Sequence, residues 1–76
     1  MNEKLELIRL IMDQHRRNGW NEVGLDLRIK KLEAMSTYQL MRELEPGTYH
    51  ALTPEKRAEL GIVEDLVRQN VKEWND

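Results

Sequence analysis

Apolar and polar positions alternate along this chain with a helical period over most of its length. At about 100° per residue, Leu5, Leu7, Ile8, Ile11, Met12 and His15 share one arc of about 160°. Glu6, Arg9, Asp13, Arg16 and Arg17 fill the other side, and Leu10 sits at the edge. The spacing predicts a helix from about Asn2 to Arg17. Arg16 and Arg17 suit the negative end of its dipole, and Gly19 suits its C-terminal stop. An apolar arc this wide fits a helix packed against two neighbours.

Residues 20–35 carry two superposed patterns. Val23, Leu25, Leu27 and Ile29 alternate strictly, as along a strand, while Leu25, Ile29, Leu32 and Met35 form a helical stripe. No second strand is visible to pair with the first pattern, and an isolated strand leaves its backbone groups unbonded. A helix from about Glu22 to Ala34, capped by Asn21, is therefore preferred. A short strand at 23–29, paired across a dimer, is the alternative.

Further along, Ser36 and Gln39 have capping-box spacing and open a helix that should run to Glu45, with Tyr38, Leu40, Met41 and Leu44 on one side. Pro46-Gly47 reads as a turn. Thr53-Pro54 reads as a helix start, and that helix should break at Gly61 after Leu60. The last helix is expected over Ile62–Trp74, with Ile62, Val63, Leu66, Val67, Asn70, Val71 and Trp74 on one half of the wheel and Glu64, Asp65, Arg68, Gln69 and Lys72 on the other. The reading is a single all-α domain over residues 1–76, a small bundle of four to five short helices, with the helix-or-strand question open at 23–29.

Composition narrows the function. With 76 residues the chain is long enough for one small domain. It has no cysteine, which removes disulfides, thiolate metal sites and a cysteine nucleophile, and makes a cytoplasmic setting the expected one. No apolar run reaches the roughly 18 residues of a membrane span, and Glu3, Lys4, Glu6 and Arg9 interrupt the start, so no signal peptide is expected. Twelve basic and fourteen acidic residues are spread evenly, which argues against a general polyanion binder.

Catalytic chemistry has little to work with. His15 and His50 lie on different segments without an acid at motif spacing, and no glycine-rich phosphate loop or nucleophile motif occurs. Glu64 and Asp65 are adjacent on a helix and diverge, which suits a solvated face better than a metal site. No enzyme activity, cofactor, metal or small-molecule substrate is expected.

The segment from Ala34 to Leu44 resembles the turn and second helix of the helix-turn-helix DNA readers. A small residue, an apolar residue and Ser36 make the turn; Leu40, Arg42 and Leu44 follow at the spacing of that motif. The resemblance implies a reading surface of Ser36, Thr37, Tyr38, Gln39 and Arg42, within a motif spanning residues 29–45. The chain departs from the pattern at Lys30 and Glu33, where the family has a small residue and a leucine, and Glu43 and Glu45 add negative charge beside it.

The leading expectation is a non-catalytic module that binds another protein, as a homodimer or a hetero-complex: an adaptor, inhibitor or accessory regulator of the kind phages and mobile elements encode. It would dock through helix faces, chiefly those of the first and last helices. Trp20, Val67, Asn70 and Trp74 are the candidate partner-binding residues. The tryptophans carry large apolar area, and Asn70 places a polar group in the middle of an apolar half-wheel, as a register-setting residue does in a coiled coil. A transcriptional regulator using residues 29–45 is the alternative.

Overall fold

The structure, a computed structural model, describes residues 2–69. These form six helices: α1 (Glu3–Arg17), α2 (Glu22–Glu33), α3 (Thr37–Arg42), α4 (Pro46–Ala51), α5 (Pro54–Leu60) and α6 (Glu64–Arg68). The all-α expectation holds, with more and shorter helices than the four to five expected. Among the described residues there is no strand, so the alternation at 23–29 lies on α2.

Local signals explain most boundaries. Asn2 caps α1, its Oδ1 accepting from the backbone N–H groups of Lys4 and Leu5. The other end of α1 closes in a Schellman motif: Gly19 takes φ +92°, its N–H donates to the Arg16 carbonyl, and the Trp20 N–H donates to the His15 carbonyl at 3.0 Å. Asn21 then caps α2 through the Gly24 N–H. Ser36 and Gln39 make both bonds of the capping box on α3. Thr53 caps α5, and a second Schellman motif ends it at Gly61, φ +67°.

Three boundaries differ from the expectation. The α3 helix stops at Arg42 because Pro46 forces Glu45 into an extended conformation, φ −89° and ψ 154°. Pro46-Gly47 is not a turn but the first residues of α4. Proline at a first helical position loses no bond, and the burial of Thr48 and Tyr49 offsets the glycine's low propensity. The described part of the last helix begins at Glu64, after an extended Val63. Asn70 and Trp74 lie outside the described residues.

The core cluster draws on every helix but α5, whose buried Leu60 lies outside it. Leu7, Ile8, Ile11 and Met12 of α1 meet Leu25 and Leu32 of α2, Leu40 and Met41 of α3, Tyr49 of α4 and Val67 of α6, with Leu44 in the α3–α4 link. The central helix is α1, packed against α2, α3 and α5, while α6 lies on α3 and α4. The arc on α1 is therefore covered from within, apart from Leu5. Val67 is 0% exposed, so it packs the domain's own core and offers no surface to a partner. Docking faces on the first and last helices, expected from the sequence, are corrected to this extent.

Candidate docking surface

Among the described residues, large apolar side chains stay exposed at Leu5 of α1, Tyr38 of α3 and Val63 before α6, and two more, Val23 and Leu27, lie one turn apart on α2. Leu25, Ile29 and Leu32 fall within about 60° of one another on a helix and face the core, whereas Val23, Leu27, Lys30 and Ala34 fall within about 60° on the opposite side. The strand-like alternation is thereby split. Leu25 is 1% exposed, while Val23 is 69% and Leu27 66% exposed.

Trp20 lies at the N-terminal edge of this face, 42% exposed. The Schellman motif brings it back over the residue three positions before the cap, and its ring stacks on His15 at 4.2 Å with an interplanar angle of 13°. Gly24 lies beside the indole. A Cβ there would stand 3.4 Å from the indole and 3.3 Å from the capping Asn21 oxygen. Trp20, Gly24, Leu27, Arg28 and Lys31 together line a shallow depression of about 240 Å³.

Behind the tryptophan, polar contacts bind α1, α2 and the α3–α4 link. Arg28 forms a half-buried ion pair with Glu43, and its Nε donates to His15 Nε2 at 3.4 Å. Gln14, 1% exposed, donates from Nε2 to the Glu43 carbonyl at 3.0 Å and accepts at Oε1 from the Glu45 N–H at 2.7 Å. Asn18 donates to the Glu45 carboxylate, and Arg17 to the Thr48 hydroxyl. The last turn of α1 thus clamps residues 43–48.

Burial, and then the Arg28 guanidinium, lower the His15 pKa from the ordinary 6.5, against a smaller upward pull from Glu43 and Glu45. Protonation of Nε2 would also end its bond from Arg28. The unfolded chain takes up this proton first, so His15 makes stability fall as pH drops through about 6.5 and on through the lowered native pKa. Urea midpoints measured from about pH 7 to about pH 5 should fall, and His15→Phe, which keeps a ring against Trp20, should flatten that slope. An unchanged slope in the variant would contradict this role.

Three residues of the helix-turn-helix resemblance are engaged in hydrogen bonds at the surface. Ser36 and Gln39 hold each other in the capping box, and Arg42 Nε donates to Gln69 Oε1 at 3.2 Å. Thr37 is half-buried and Tyr38 exposed; both line a cleft of about 360 Å³ with Met41, Leu60 and Val63. The α3 helix is six residues long and packs on α1 and α6.

Among the described residues, no group of three His, Cys, Asp or Glu side chains is placed to hold a metal ion. No helix there is long and apolar enough to cross a membrane. His15 faces Trp20 and Arg28, and His50 makes an edge contact with Tyr49. Comparison with known protein families, with curated proteins and with solved structures finds no match.

Of the candidate partner residues, Trp20 is on the exposed face and Val67 in the core. Val23 and Leu27 were missed as surface candidates, although their alternation with Leu25 and Ile29, drawn on a helical wheel, already places them opposite the core stripe. Gln14 was missed because nothing in its spacing distinguishes it from a solvated glutamine.

Proposed function

We propose that this chain is a small, non-catalytic protein-interaction module, of adaptor, inhibitor or accessory-regulator type, that docks through the outer face of α2 and the adjoining Trp20. The observation that carries this reading is the exposure of Val23 and Leu27, one turn apart and opposite the core stripe of the same helix. Isolated apolar residues are ordinary on a protein surface, but valine and leucine in line beside a tryptophan stacked on His15 form a patch with pre-set shape. Fixing the indole in advance removes part of the ordering cost of binding. The polar flank of Asp26, Lys30 and Lys31 supplies the charged rim that sets specificity and association rate. A chain without cysteine suits such a role in a reducing cytoplasm.

The test is site-specific photo-crosslinking of the full chain in the cell that makes it. A benzophenone side chain at Val23 or Leu27 should give a discrete protein adduct, and the same group at the exposed Arg9 or Glu55 should not. Adducts that do not depend on α2 would contradict the reading. So would salt-sensitive binding of duplex DNA that collapses in Arg42→Ala, which would favour the transcriptional regulator.

A further inference from the structure

Resting on that reading, we infer that the occupant of the α2 face is a second copy of this chain, its α2 helix packed antiparallel to the first. The outer side of α2 carries both signs of charge. Asp26 and Lys30 flank Leu27 along the same edge, and neither takes part in an ion pair among the described residues. A partner surface of one sign attracts one of them and repels the other. A two-fold axis beside position 28 satisfies both, because it sets Asp26 of each copy opposite Lys30 of the other. The same axis puts Leu27 next to its counterpart and Val23 against Ala34 and the aliphatic stem of Lys30 in the second copy. The face is then self-complementary, as a closed two-fold contact requires. Parallel packing would instead bring the two Lys30 side chains together.

The α2 helix has 12 residues, which makes it about 18 Å long. One such face with a tryptophan at its edge buries less than the ~800 Å² per partner of standard interfaces, so the dimer is weak and concentration-dependent.

Sedimentation velocity on the purified full chain tests the inference. The chain should pass from monomer to dimer as concentration rises, and Leu27→Asp should weaken association by at least about tenfold. High salt should also weaken it, whereas parallel packing predicts strengthening. Asp26→Lys alone and Lys30→Asp alone should each be monomeric, and an equimolar mixture of the two should restore the dimer. That restoration also shows that each variant is folded.

A chain that stays monomeric at every concentration, or a mixture that does not associate, would overturn the inference. If α2 crosslinks meanwhile capture a different polypeptide, the docking reading stands without it. If α2 yields no crosslinks at all, both fall.

Discussion

Replacing Gln14 with leucine is expected to destabilise the domain by about 3 kcal/mol, although the two side chains are similar in size and the site is buried. The glutamine amide bonds two backbone groups at once, the Glu43 carbonyl and the Glu45 N–H. These lie where α3 has ended and α4 has not begun, so neither group has a helical partner in reach. Leucine leaves both unbonded in a half-buried link, at up to about 1–3 kcal/mol for each group that water does not reach. Native domains are stable by only about 5–15 kcal/mol, so the loss removes a large fraction of the total. Urea unfolding followed by circular dichroism measures it. A loss below about 1 kcal/mol would show that water replaces the amide and that the clamp is not structural.

The second large effect is expected at Val67. Its side chain is fully covered by the core, so Val67→Asp either buries a carboxylate without a partner or expels α6 from its seat on α3 and α4. A cost of about 3–5 kcal/mol follows, enough to leave much of the population unfolded near physiological temperature. Arg68 is the control one residue on. It is exposed, and its ion pair with Glu64 spans 3.5 Å at the surface, so Arg68→Asp should cost no more than about 1 kcal/mol. Equal thermal shifts in the two variants would contradict the placement of α6.

These positions show how far the sequence was legible. Helix starts were read correctly where a side chain with its own hydrogen-bonding chemistry sets them: Asn21, Ser36 with Gln39, and Thr53 before Pro54. Such caps act within four residues and need no tertiary information. The misreadings occurred where tertiary burial overrides a local signal. Pro46-Gly47 has turn chemistry, yet Thr48 and Tyr49 are buried only if the segment coils into α4. Gln14 carries no mark of burial, because its partners are backbone groups about thirty residues away.

The site was half legible. Trp20 was among the candidates and is exposed, and the structure adds the reason it is held in place: a glycine with positive φ turns the chain so that the indole meets His15. Val23 and Leu27 were concealed by the strand-or-helix ambiguity. In a strand all four alternating residues would share one face; in a helix two point inward and two outward. Settling the element therefore adds the outer face of α2 to the candidate surface.

The most direct test of this account compares two leucines two residues apart on one helix. Unfolding free energy and α2-dependent association should be measured for Leu25→Asp and Leu27→Asp. The account predicts that Leu25→Asp loses the fold, and that Leu27→Asp keeps its unfolding free energy within about 0.5 kcal/mol of the unsubstituted chain while its association is lost. Comparable losses of stability in both variants, or intact association in a folded Leu27→Asp protein, would contradict it.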